Sequence, residues 1–277
     1  MDNSDLKLLI GILVLVGLPV AGWYFRDALL PQEPEPAVVE PLPLPAEGPA
    51  EIRPIHPLTP IEPARGADGR LIELPPLDDS DAYFLLALGD LFGSEVESLL
   101  AKEGLIDRFV ATVDNLPRSA VSEKIRVAGR LADTFRAETT GNENAFYASP
   151  ENYRRYDQLV GLAASANIDA VVDTYQRFYP LLQQSYQQLG YPNGYFNDRV
   201  VEVIDHLLET PELDEPALLV RPNVLYEYAD PELERLSAGQ KLLLRVGPEH
   251  AAVLKGLLRK LRDELTRSPD GRSAKSV

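Results

Sequence analysis

Leu8 to Phe25, LLIGILVLVGLPVAGWYF, runs without a charged residue and is dominated by Leu, Ile and Val. A helix rises about 1.5 Å per residue, which makes the run roughly 27 Å long. That is close to the ~30 Å hydrocarbon core of a bilayer. Lys7 and Arg26 bracket the run, and Trp23, Tyr24 and Phe25 stand where an interfacial aromatic belt would sit. The expectation is one transmembrane helix over 8–25 behind a short tail, 1–7, with the lipid bilayer as the first partner. A buried soluble helix would show a polar face, and none interrupts the run. A cleaved export signal is the rival reading, since Val20 and Gly22 are small enough to precede a cleavage point. Against it, Asp2 and Asp5 offset Lys7 and the terminal amine, so the leading segment is not basic. Pro19, with Gly17 and Gly22 nearby, should bend the helix, which membrane spans tolerate. Gly17 and Ala21 form a small-xxx-small pair of the kind that supports helix dimerisation.

The charge balance narrows the partners. A net charge of −16 argues against nucleic acid, whose phosphates call for a basic surface, and against flat docking on anionic lipid. The absence of cysteine excludes disulfides, thiolate zinc sites and cysteine nucleophiles. Lys7 and the amine lie on the short side of the span, while Arg26 on the far side is followed by no lysine until Lys102. This slight bias puts the N-terminus in the cytoplasm. The localisation read from it is the bacterial inner membrane, single-pass, with the bulk of the chain facing the periplasm.

Residues 26–76 change character. Pro31 to Pro76 contains thirteen of the 24 prolines, together with Glu33, Glu35, Glu40, Glu47, Glu51 and Glu62. Proline fixes φ and removes amide donors, so neither a helix nor a central strand persists through such a stretch. Few large apolar groups remain to offset the entropy of ordering. The reading is an extended, acidic tether, which at ~3.1 Å per polyproline residue could reach toward ~140 Å. A docking ligand for a proline-binding domain is the other use of such a stretch, but no PxxP run here has the basic neighbour those grooves read.

From Leu77 to Leu265 the patterning is that of a compact, mostly α domain with a small β-hairpin, an α+β body. Asp79 or Ser80 is the expected cap of a helix carrying Tyr83, Phe84, Leu85, Leu88, Leu91 and Phe92, stopped at Gly93. Ser94 and Glu97 form a capping-box pattern, and Gly104 to Asn115 reads as a third helix ending before Pro117. Thr134–Glu138 and Ala145–Tyr147 flank Thr140-Gly141-Asn142-Glu143, which predicts the hairpin. Ser149-Pro150 opens a helix. The longest helix is expected over Ile168–Leu189, capped by Asn167. There Tyr175, Phe178, Tyr179, Leu182, Tyr186 and Leu189 form one stripe, and Pro180 is expected to kink it. Asn197 is the expected cap of a helix to Leu208. Ala217–Val220 and Val224–Tyr228 read as short strands. Asp230-Pro231 opens a brief helix, Ser237 with Gln240 caps another, and Gly247-Pro248 precedes a last helix with Leu254, Leu257, Leu258, Leu261 and Leu265 on its core face. The segment 266–277 is polar and read as a disordered tail.

Five stretches resemble a bacterial family catalogued as a domain of unknown function, numbered 3014. They are Ser80-Asp81-Ala82-Tyr83-Phe84, the run from Arg108 to Pro117, the run from Tyr191 to Arg199, Leu219-Val220-Arg221-Pro222 and Ser237-Ala238-Gly239-Gln240-Lys241. The resemblance implies a single-pass anchor with a helical domain; it implies no activity and carries over no functional residue.

Ten of the twelve tyrosines lie between Tyr147 and Tyr228. Aromatic faces stack on sugar rings, but helical spacing alone also requires a buried face, and core packing with hydroxyls at the rim is the simpler account. The candidate binding residues are Tyr191, Asn193, Tyr195, Phe196, Asp198 and Arg199, a turn that brings aromatic and polar groups together. The same residues also read as a helix start, with Asn197 as cap, Asp198 at the positive helix end and Phe196 as staple. Asp198, Glu202 and His206 recur every fourth residue, with Asp205 and Glu209 nearby, but three ligands over two turns span ~12 Å, too far for one ion. A solvated face with a Glu202–His206 ion pair is the expected state. Neither a GxSxG nor a Walker A sequence occurs, and Glu103, Asp107 and Asp114 do not stand out in so acidic a chain. No catalytic residue, metal ligand or cofactor is assigned. The function expected is a noncatalytic binding or scaffold module of the cell envelope, with an envelope protein or a cell-wall glycan as partner. The alternative is an envelope glycan or peptide hydrolase using carboxylates.

Overall fold

A computed structural model describes residues 53–58, 73–93, 96–97, 100–127, 135–142, 144–213 and 215–267. The expected span over 8–25, most of the tether, the Ser94 end of the capping-box pattern and the tail beyond Arg267 lie outside the described residues. Among the described residues no helix is long and apolar enough to cross a membrane.

The body is mostly helical. After a 3-10 turn at Leu77–Asp79 come α1 (Asp81–Phe92), α2 (Leu105–Asn115), a second 3-10 turn at Glu123–Ile125, and the strands β1 (Ala137–Thr139) and β2 (Ala145–Ala148). Next are α3 (Glu151–Arg154), α4 (Asp157–Ser165), α5 (Ile168–Gln188) and α6 (Phe196–Leu208). The chain continues through β3 (Leu218–Val220), β4 (Glu227–Tyr228), α7 (Pro231–Glu234), α8 (Ala238–Arg245) and α9 (Pro248–Leu265).

α5 is the axis of the core. Its apolar residues fall three and four apart, so Tyr175, Phe178, Leu182 and Tyr186 are buried along one line. Asn167 caps the helix as expected, its Oδ1 accepting from the Ala170 amide at 3.3 Å. Leu189 departs from the expected stripe: the helix stops at Gln188, and Leu189 is 43% exposed. Gly190 then turns the chain at φ +118°, a conformation that a side chain would strain. α2 lies against α5, α6 and α1, and α9 lies against α4, α5, α6 and α8. Between them they bury Phe84, Phe109, Phe178 and Phe196 in one cluster. Phe84 meets Phe178 edge-on at 5.0 Å and Phe109 meets Phe196 edge-on at 6.1 Å.

Helix starts follow two devices. The Ser237–Gln240 capping box forms at α8 as read, and Asp230 caps α7 through the Glu232 amide at 2.8 Å. α1 has no side-chain cap: Ser80 is buried and its hydroxyl donates back to the Leu77 carbonyl at 2.6 Å. At α2 the cap comes from another helix. Gly104 sits at φ +63°, and the amides of Gly104 and Leu105 both donate to the Asp81 carboxylate at 2.7 Å. α9 is anchored by Lys255, only 4% exposed, whose ammonium donates to the Thr210 carbonyl at 2.6 Å and pairs with Glu212 at 3.3 Å.

The expected hairpin is present and belongs to a larger sheet. β1, β2, β3 and β4 run antiparallel in that order, so the two short strands read around Pro222 complete it, the second only over Glu227–Tyr228 because the chain still bends through Val224 and Leu225. Phe146 lies opposite Leu219, and Leu219 opposite Tyr228. Tyr226 packs on Phe135 and Phe146, with the Arg221 guanidinium 5.5 Å from its ring. α7 ties the sheet to the body, Glu234 accepting from the Tyr228 amide at 2.9 Å and pairing with Lys241 of α8.

Candidate functional site

The stretch from Tyr191 to Arg199, the α5–α6 loop with the first turn of α6, holds all the candidate binding residues. It begins with a turn in which the Gly194 amide donates to the Tyr191 carbonyl at 3.0 Å, leaving Pro192 and Asn193 exposed at the tip. A β-carbon on Gly194 would stand 2.9 Å from the Tyr186 ring, so the loop lies flat on α5 only because that residue is glycine. Tyr191 stacks on Tyr186 with centroids 4.6 Å apart and planes 18° apart.

One side chain of α5 stitches the loop down. Gln183 donates to the Gly194 carbonyl at 2.7 Å, accepts from the Phe196 amide at 2.8 Å and accepts from the Tyr179 hydroxyl at 3.0 Å. Phe196, fully buried, inserts between Phe109 and Tyr186. It is therefore part of the core and offers no surface to a ligand. Tyr195, half-buried, occupies the N-cap position of α6. Asn197 is not the cap that its residue type suggested. It lies inside the first turn, 1% exposed, with Oδ1 accepting from the Tyr175 hydroxyl at 3.3 Å and Nδ2 directed at the carbonyls of His56 and Leu265.

The polar centre of the region is Asp114, which nothing in the sequence singled out. Its side chain is 2% exposed. Arg199 donates from Nε to Oδ1 at 2.9 Å and from Nη2 to the Asp114 backbone carbonyl at 2.8 Å. Arg118 donates to Oδ2 at 3.1 Å and the Tyr191 hydroxyl donates to the same oxygen at 3.3 Å. A carboxylate that accepts from three donors, two of them cationic, is suited to fastening α6 and the loop to the end of α2. Burial opposes the Arg199 charge, but the hydrogen bond to Glu202 and the charge of Asp114 outweigh it, and the guanidinium's pKa is raised. Glu202 pairs with Arg199 at 2.9 Å, and His206 Nε2 meets the Ser237 hydroxyl at 2.9 Å. These contacts replace the expected Glu202–His206 pair.

Asp198 faces the other way and holds chain from the expected tether. Its Oδ2 accepts from the Ile55 amide at 3.0 Å and its Oδ1 from the His56 amide at 2.7 Å. Residues 53–58 thus lie on the domain, a contact that proline content and charge gave no reason to expect.

Burial pushes the pKa of Tyr175 well above the ordinary phenol value and those of Tyr179 and Tyr186 up to about 12. The hydroxyls of Tyr175 and Tyr179 are structural hydrogen-bond donors, to Asn197 and Gln183, and all three phenols stay protonated at neutral pH. Among the described residues no three His, Asp or Glu side chains converge in a way that could hold a metal ion. Two cavities in the helical core each enclose about 20 Å³, room for a single water, between apolar walls such as Leu254 and Leu258 or Phe84 and Phe109. The arrangement can clamp main chain and hold helices together.

No curated protein and no solved structure matches the chain. A family model described as protein of unknown function (DUF3014) matches residues 105–262. The match takes in α2, the Asp114 cluster, the α5–α6 loop, the sheet and most of α9; Asp81 and residues 53–58 precede it.

Proposed function

The chain belongs to the DUF3014 family, and we propose that its helical body is a noncatalytic binding or scaffold module carried on a membrane anchor. The observation that supports this reading is the state of the first turn of α6. Its charged residues are engaged within the protein, Arg199 on Asp114 and Glu202, and Asp198 on the amides of residues 55 and 56. A hydrolytic carboxylate needs a substrate cleft and a proton to move, whereas Asp114 is enclosed by three donors. The uncharged run 8–25 acts as the span, 26–76 as the tether, and the body works on the periplasmic side of the inner membrane. The partner is an envelope protein or cell-wall glycan.

The test compares three forms of the full chain in cells: the native run 8–25, an unrelated single-pass span in its place, and a cleaved export signal in its place. Each is crosslinked in intact cells and recovered by pull-down. The expected result is the same envelope component with either span and its loss with the cleaved form. Equal recovery from all three would remove the anchor from the function. A reporter active only outside the cytoplasm, fused after Val277, should be active; activity of a cytoplasmic reporter alone would reverse the orientation.

A further inference from the structure

Residues 53–58 behave as a bound peptide. Pro54, His56 and Leu58 are half-buried while Arg53, Ile55 and Pro57 are exposed, so alternate residues face the body, and the chain bends at Ile55 and His56. Leu58 packs against the hydrophobic core, and Ile55 points outward, 77% exposed. Three hydrogen bonds fix the backbone: the Ile55 and His56 amides to the two oxygens of Asp198, and Asn197 Nδ2 to the His56 carbonyl at 2.8 Å. The seat is built by the body, because Asn197 is buried and oriented by Tyr175 of α5 and by the end of α9. Side chains that hydrogen-bond a segment's main chain while others of its residues turn inward are a means by which proteins hold peptides, and here the bend at Ile55 and His56 turns two consecutive amides onto one carboxylate.

We propose that Asn197 and Asp198 form a peptide-binding site whose resident ligand is the chain's own segment 53–58, and that seating or release of this strap sets how much chain lies between the body and what precedes it. With the strap seated, the chain reaches the body at Arg53; with it released, the chain reaches the body at Leu74, which packs against the core. The difference, residues 53–73, corresponds to roughly 65 Å of extended reach at ~3.1 Å per residue. The consequence for reach rests on the tether reading above; the binding site does not.

The test uses the full chain in detergent. In the unmodified protein, the amides of Ile55 and His56 should exchange at least about tenfold more slowly than an unprotected peptide, as hydrogen bonds to a carboxylate require. His56→Pro removes one donor without touching the body, and Asp198→Ala removes both acceptors; each should abolish the protection at residue 55. The chain lacks cysteine, so spin labels at Ile55→Cys and Glu249→Cys report position directly. Their distance distribution should be narrow in the parent and broad in the His56→Pro protein. Unprotected amides in the parent, or distributions of equal width in the two proteins, would overturn the proposal. Should Asp198→Ala fail to fold, the His56→Pro protein decides. None of these readouts involves a membrane or a partner, so failure here leaves the anchored-module reading standing, and failure of that reading leaves the strap.

Discussion

Asp114 and Phe196 hold the same loop by different physics, and substitution separates them. Asp114→Ala leaves the Arg199 guanidinium, 17% exposed, without its main counter-charge. Breaking such a pair from one side costs roughly 3–5 kcal/mol, discounted here toward the lower figure because Glu202 still pairs with Arg199. The urea midpoint should fall accordingly, and adding Arg199→Met should recover part of the loss because the stranded charge is removed. Phe196→Ala empties a fully buried aromatic site, an expected cost of about 3–5 kcal/mol. Tyr195→Ala, at a half-buried position one residue earlier, should cost far less. Near-equal midpoints for these two variants would contradict the burial described. The sequence favoured the structural role of Phe196 over an exposed one, because a hydrophobic residue at a helix start is an ordinary packing device. Asp114 was not legible: among 43 acidic residues one carboxylate carries no signal until Arg199, 85 positions on, folds against it.

At the scale of elements, what depended on spacing within one helix could be read and what depended on distant partners could not. The α5 stripe as far as Tyr186, the α8 capping box and the α9 core face are local patterns, and each is found in place. The hairpin was legible from its turn, and the two strands around Pro222 from their residue types. Asn197 was misread because its residue type favours caps, while its partners come from α5, α9 and residue 56. Asp81 at α2 and Asp198 at the strap use one device, a carboxylate receiving two consecutive amides from chain remote in sequence. The buried phenols of α5 make an element-scale prediction. The unfolded chain ionises tyrosine near pH 10, whereas folded Tyr179 and Tyr186 hold their protons to about 12. A raised folded pKa means that this contribution is fully present below pH 10 and is lost as pH rises from about 10 to 12. Thermal stability should be flat up to pH 10 and then drop. The absorbance change of phenolate formation should split into an early fraction and a late fraction that coincides with unfolding. A single early transition would show that these hydroxyls are open to solvent.

At the scale of the molecule, anchor, tether and body make different demands on length. If the body recruits a partner at a set distance, the tether governs effective concentration and reach, and composition matters only through stiffness. Halving the segment between Gln32 and Glu51, which precedes the strap, should therefore lower partner recovery in the crosslinking experiment. Scrambling its order at constant proline and glutamate content should leave recovery unchanged. An enzyme acting on an abundant substrate near the membrane would tolerate the shortening. The strap adds an asymmetry: removing residues between Thr59 and Leu71 should matter little while residues 53–58 stay seated, because that part of the chain does not then extend the reach. In the His56→Pro protein the two deletions should become equivalent, since all the chain up to Leu74 then counts. Equal sensitivity to both deletions in the parent would mean that length is measured from Leu74 in every state, and the strap would have no part in setting it.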